Sequence, residues 1–290
     1  MNAQHHQGPA VDTDGGSGRL RLDLAYDGTG FRGWAVQPGQ RTVAGELEAA
    51  VATVLRIPVP RVRSGLVVAG RTDAGVHASA QCAHLDVDRE SLDRAGGTVG
   101  LTRRLRSLLA PEVRVGSVTE APPGFDARFS ALRRHYRYRV CDHPAGPDPL
   151  RRHDTLAHPR PLDLDAMSEA SRRLLGLRDY AAFCRRREGA TTVRTLLSYR
   201  WGREADGTVV AALSADAFCH SMVRALVGAV LPVGDGRVGL GFPLEVLTAR
   251  VRDPRVTVAA ARGLTLVGVD YPDDEGLAAR ARESRARRLD

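Results

Sequence analysis

Residues 66–87 constrain this chain more tightly than any other stretch. A short apolar run, 66–69, leads into Gly70-Arg71-Thr72-Asp73-Ala74-Gly75-Val76-His77, and an alternating segment, 80–87, follows. Such runs on either side of a glycine-bracketed octapeptide read as two buried strands joined by a tight connection. A carboxylate, Asp73, therefore sits on a turn. Gly70 and Gly75 let the backbone take positive φ or approach a ligand closely, and Arg71 stands near enough to reach back to the acid. Read on these residues alone, the turn is either a held, ionised acid or an Asx-turn with a surface ion pair.

The flanking pattern builds a fold around it. Leu20, Leu22, Leu24 and Tyr26 alternate with polar or small residues in a half-buried strand that ends at Asp27-Gly28. Val43, Leu47, Ala50, Val51 and Val54 recur at helical spacing behind a Thr42 cap and stop before Pro58. With the strands around the turn, a helix over 101–109 and a strand over 113–118, the first half reads β-α-β-β-α-β. Pro122-Pro123-Gly124 punctuates the chain there. Beyond it, residues 135–141 alternate so that Tyr136, Tyr138 and Val140 share one face, with Arg137 and Arg139 on the other. Helices over 164–175, 218–231 and 243–251 and strands over 196–201, 209–214 and 264–269 complete this half. The expected fold is α/β (α+β): two ferredoxin-like, RNA-recognition-type subdomains with largely antiparallel sheets. They occupy 19–122 and 123–272, between a disordered leader, 1–18, and a charged, alanine-rich tail, 273–290, helical at best, whose arginines could touch RNA but which reads first as a solvated end.

Composition narrows the partner. A net charge of +8 and a pI near 10.0 favour a polyanion, nucleic acid before membrane, since no segment approaches the length of a spanning helix. The chain has no lysine, so all 42 of its Lys-or-Arg residues are arginine. A coding bias alone would produce that, yet guanidinium forks grip phosphates and stack on bases whatever their origin. Cys82, Cys141, Cys184 and Cys219 lack a C-x-x-C pair and read as buried thiols, and the polar leader has no apolar signal core, so a reducing cytoplasm is expected. His5 and His6 lack the ligand count of a metal site.

Residues 69–78, AGRTDAGVHA, closely resemble the active-site signature of the tRNA pseudouridine synthase A family. Further pieces follow in the family's order: AYDGTGFRGW (25–34), RTVAGELE (41–48), FDARFSA (125–131), RHYRY (134–138), REGATTVRTL (187–196) and ADAFCHSMVRALVG (215–228). The resemblance implies a pseudouridine synthase fold, a homodimer, and action on tRNA uridines at positions 38 to 40 of the anticodon arm, without a cofactor or metal. It makes Asp73 the essential carboxylate and Tyr136 the active-site tyrosine, and it makes Arg224 a partner of Asp73 or of RNA phosphate. Arg71 pairs with Asp73 or displaces a neighbouring nucleotide, and Arg185, Arg186 and Arg187 become candidate phosphate contacts.

The chemistry agrees with that assignment. Pseudouridine formation breaks the N-glycosidic bond, turns the uracil and rejoins it through C5, which calls for a carboxylate, a pocket holding the base, and help with one proton. Attack at C1′, addition at C6 and a glycal-type path all stay open for Asp73. Tyr136 offers a ring to stack on the extruded base, although a strand tyrosine is equally a core residue. On a helix over 218–231, Phe218, Met222, Val223, Leu226, Val227 and Val230 fill one half, and Arg224 falls at its boundary near His220, where an arginine also snorkels to solvent. Ala35, Ala44 and Arg106 depart from residues common in the family. Those departures keep two rivals in view: a paralogue acting on another RNA or a free nucleotide, and a non-catalytic RNA-binding protein.

Overall fold

The structure, a computed structural model, describes residues 17–185 and 191–286. The leader through residue 16, Arg186 and Arg187 lie outside the described residues. The first half comprises β1 (Ser17–Tyr26), α1 (Val43–Leu55), α2 (Val59–Gly65), β2 (Leu66–Val68), β3 (His77–Asp88), α3 (Arg89–Arg94), α4 (Gly97–Leu108) and β4 (Val113–Glu120). The second comprises β5 (Arg133–Cys141), β6 (Leu156–Ala157), α5 (Leu164–Arg172), β7 (Gly176–Asp179), β8 (Val193–Arg203), β9 (Val209–Ala215), α6 (Met222–Gly234), α7 (Phe242–Ala249), β10 (Leu264–Asp270) and α8 (Leu277–Ala286).

Local chemistry explains the first elements. Thr42 has extended backbone and accepts a hydrogen bond from the Gly45 amide, capping α1, and Arg56 turns left-handed at φ 56° to end it ahead of Pro58. Leu20, Leu22, Leu24 and Tyr26 all bury in one core with Leu47 and Val51 of α1 and Leu101 and Leu105 of α4. The other face of β1 carries Arg19, Arg21 and Asp23.

Among the described residues the strands form one mixed sheet in the order β4-β1-β3-β10-β5-β9-β8-β7, with β2 paired to β3 and β6 to β5. Neighbours are antiparallel along this path except β10 and β3, which run parallel. The last strand thus closes the middle. Its Leu266 lies opposite Ala78 of β3 on one side and Tyr136 of β5 on the other. That register brings the strand leaving the Asp73 turn and the strand carrying Tyr136 to either side of one residue.

Two expectations change. The helix read over 218–231 begins only at Met222, because Ser221 takes φ 65° and ψ 4°, a left-handed conformation that cannot continue an α-helix. Phe218 and His220 therefore belong to a loop. The tail is not a solvated end over its described part. Leu277 and Ala281 bury one face of α8, and Leu277 joins a second, smaller core with Ala69, Cys82, Phe125 and Ala127 on the face of the sheet opposite α1 and α4. Among the described residues no helix is long and apolar enough to cross a membrane.

Candidate active site

The Asp73 turn is clamped by the loop that follows β1. The Trp34 amide donates to the Thr72 carbonyl at 3.1 Å, the Gly75 amide to the Phe31 carbonyl at 3.2 Å, and the Val76 amide to the Asp73 carbonyl at 3.1 Å. Gly33 makes the approach possible. It sits at φ +91°, and a Cβ there would lie 2.8 Å from the Thr72 carbonyl oxygen. Below the turn, Gln81 Nε2 donates to Tyr26 Oη at 3.1 Å and to the Gly70 carbonyl at 2.8 Å, and Tyr26 shares a 2.8 Å hydrogen bond with Thr72. Burial pushes the Tyr26 hydroxyl up to about 12. Of the two bracketing glycines, Gly75 takes positive φ, 76°, and Gly70 does not.

The second half meets this turn with the loop before α6. Ser221 Oγ donates to Asp73 Oδ2 at 3.2 Å, and Arg224 Nη1 reaches the same oxygen at 3.4 Å. His220 Nε2 stands 3.4 Å from Oδ1. The carboxylate is half-buried and faces three polar groups from one short segment. Arg224 is itself gripped: its Nε donates to the Ala259 carbonyl at 2.7 Å while the Ala259 amide donates to the Arg224 carbonyl at 3.0 Å. Gly228 lets that extended segment lie on α6, since a Cβ there would collide with the Thr257 carbonyl oxygen.

Tyr136 lies buried with its ring edge-to-face against Phe218, centroids 5.2 Å apart. Burial holds its phenol well above the usual range, and the charges of Tyr26 and Asp73 push the same way. It stays a neutral ring and a hydrogen-bond donor. Two residues earlier on β5, Arg134 is buried, forms no ion pair within 4 Å among the described residues, and donates instead to three carbonyls, those of Ala69, Asp216 and Arg128, each at 2.8 Å. Those carbonyls belong to the entry of the Asp73 turn, to the start of the 216–221 loop and to the 125–131 loop, so one guanidinium ties three loops together.

Asp73, Tyr136 and Arg224 are thus brought together. Arg71 is not paired with Asp73: among the described residues its exposed guanidinium forms no ion pair within 4 Å, because both carboxylate oxygens face the loop before α6. His220 and Ser221 at the carboxylate go beyond the sequence reading, although both lie inside the ADAFCHSMVRALVG stretch that could have pointed to them. The expectation of four thiols is corrected at one pair. Cys184 and Cys219 are bonded through sulfur with Cα atoms 5.7 Å apart, where the Arg185 amide donates to the His220 carbonyl and aligns the two loops. Cys82 and Cys141 are free. Arg106, one of the departures, donates to the Val115 and Gly116 carbonyls and fastens α4 to β4.

Comparison with known proteins decides the family. The model of a family described as tRNA pseudouridine synthase matches residues 170–272. A tRNA pseudouridine synthase A of Frankia casuarinae is 60% identical over 93% of this chain and 96% of its own. This chain belongs to the tRNA pseudouridine synthase A family. Members so named from Streptomyces griseus and Mycobacterium leprae are 55% and 54% identical, covering 92% and 91% of this chain and 93% of each relative. As a member of that family the protein is an isomerase acting on tRNA.

Proposed function

We propose that this protein isomerises uridine to pseudouridine in tRNA at positions 38 to 40 of the anticodon arm, with Asp73 as the essential carboxylate. Family membership carries the reaction and the substrate class. The role of Asp73 is supported by one observation above the rest: its two oxygens are engaged by Ser221, Arg224 and His220 from the other half of the chain. Arg224 and Ser221 orient the carboxylate at the face where an extruded uridine arrives. In the reaction the N1–C1′ bond breaks, the uracil turns, the C5–C1′ bond forms, and the C5 proton leaves as N1 gains one. Asp73 attacks a reacting carbon or opposes the positive charge that develops at C1′. Tyr136, kept protonated by burial, stacks on the detached base and holds it. Arg71, exposed beside the turn, replaces the uridine in the helix or contacts its neighbour.

The same reading takes the enzyme to be a cytoplasmic homodimer that uses no cofactor, with subdomains 19–122 and 123–272 flanking the RNA. Its test is incubation of the purified protein with an unmodified tRNA transcript, followed by cyanoethylation and mass-spectrometric mapping. Pseudouridine at 38, 39 or 40 is the expected result. Modification confined to another region or another RNA would favour the paralogue reading, and tight binding with no isomerisation would favour an RNA-binding protein.

A further inference from the structure

A surface beside the site is left unexplained by this chemistry. The FDARFSA segment forms a loop whose Asp126, buried, accepts the backbone amides of Arg128 at 2.9 Å and Phe129 at 2.8 Å. The other Asp126 oxygen accepts from Arg285 of α8 at 2.7 Å. Ser130 Oγ donates to the Leu277 carbonyl at 3.1 Å, and Gly124 is so close to Ala278 that a Cβ would lie 2.6 Å from that side chain. The helix is therefore docked on the loop by a core residue, an ion pair to a buried acid and a close backbone approach.

The docking concentrates positive charge around one aromatic ring. The Arg285 guanidinium carbon lies 4.9 Å from the Phe129 centroid and that of Arg128 lies 5.2 Å from it. Burial and the charge of Arg71 hold the Arg128 guanidinium below its usual range, while the charge of Asp126 works the other way. Among the described residues neither Arg71 nor Arg128 forms an ion pair within 4 Å. Elsewhere on this protein many arginines are matched to acids, as Arg19 is to Asp86 and Arg203 to Asp142. The one acid in this cluster, Asp126, is already taken up by Arg285 and two backbone amides, so Arg128 has positive charge to spare for an arriving anion. Guanidinium forks around an aromatic ring suit a phosphate backbone with an exposed base.

We propose that Arg128 and Arg285, gathered around Phe129, form a landing surface for the phosphate backbone of the substrate RNA next to the uridine that enters the site, and that α8 is an RNA-binding element. The surface rests on the proposed tRNA substrate for its ligand. In this arrangement the C-terminal helix carries Arg285 onto the loop that presents Arg128 and Phe129.

The test uses the full chain and unmodified tRNA. Arg128→Gln, Arg285→Gln and the double variant are compared with wild type by filter binding from about 50 to 200 mM KCl, beside steady-state kinetics and thermal melts. Each single change is expected to weaken binding about 3- to 10-fold and to reduce the slope of log Kd against log salt by about one. KM rises accordingly, and kcat at saturating tRNA stays within about twofold of wild type. Arg285→Gln also breaks the ion pair with Asp126, so its melting temperature can fall. Arg128→Gln breaks no ion pair within 4 Å among the described residues, and its thermal melt reports the lost contact with the Phe129 ring separately from the salt slope. An unchanged salt slope in the double variant would overturn the proposal, as would a loss of kcat with Kd unchanged. Wild-type protein that binds tRNA but forms no pseudouridine would refute the proposed reaction, while the slope comparison would still report on this surface.

Discussion

Replacing Asp73 by asparagine separates chemistry from architecture, and the structure allows the two effects to be sized. Oδ2 takes the Ser221 hydroxyl at 3.2 Å and Arg224 at 3.4 Å, and Oδ1 stands 3.4 Å from His220 Nε2. An amide oxygen in the Oδ2 position still accepts both donors, and the amide nitrogen then faces a histidine nitrogen that can accept. Arg224 keeps its shorter 2.7 Å bond to the Ala259 carbonyl. These contacts are long and the carboxylate is 24% exposed, so Asp73→Asn should change unfolding free energy by no more than about 1 kcal/mol. The barrier is another matter. A neutral amide is a poor nucleophile and opposes no positive charge, and losing about 4 kcal/mol of transition-state stabilisation lowers the rate about a thousandfold. The assay is tritium release from tRNA labelled at C5 of uridine, run beside filter binding and a urea titration. The expected result is native-like binding and melting with release down by about a thousandfold or more. Turnover within about tenfold of wild type, in protein free of host enzyme, would show that the carboxylate is not the reacting group.

Gly33→Ala should destabilise the protein by about 2 kcal/mol, since it combines a left-handed backbone with a Cβ 2.8 Å from the Thr72 carbonyl oxygen. A urea midpoint unchanged within error would refute that reading of the clamp. His84 supplies a pH dependence. Burial, with the charge of Arg19, lowers it to about 4, and its Nδ1 accepts the Ala127 amide at 2.9 Å. Above the unfolded value near 6.5 both states are neutral and stability is complete. As pH falls from there toward about 4, the unfolded chain binds the proton first, costing the fold about 1.4 kcal/mol per pH unit. Urea titrations between about pH 7 and 4.5 should show a steeper loss for wild type than for His84→Gln, and parallel curves would contradict the assignment.

Much of the fold is legible where periodicity and punctuation agree. The alternation of Leu20, Leu22, Leu24 and Tyr26 and the Thr42 cap need only local physics, and both appear as read. The signature turn is equally plain, but its partners are not. Arg224 meets Asp73 across 151 residues, and no local pattern carries that pairing. Arg71 looks like the natural partner because it is close in sequence, yet the turn presents its carboxylate to the other half. Ser221 lies in a stretch whose apolar spacing suits a helix, and its left-handed backbone arises from the junction with the turn rather than from its own preference. The packing of α8 is hidden because only Leu277 and Ala281 mark its buried face among arginines and acids.

The placement of β10 has a consequence for how the protein comes into being. The strand that lies between β3 and β5 is the last of the sheet to leave the ribosome, and its partners are made far earlier, Thr265 pairing with His77 and Asp270 with Arg133. Until residue 270 has emerged, the start of β3 and one side of β5 each present an unpaired edge, and the strand leaving the Asp73 turn has no neighbour on the side that faces Tyr136. Such distant pairings fold slowly and leave edges open to wrong partners in the meantime. A nascent chain therefore holds both halves of its site before it holds the strand that aligns them, and its competence toward RNA arrives in one late step rather than by degrees.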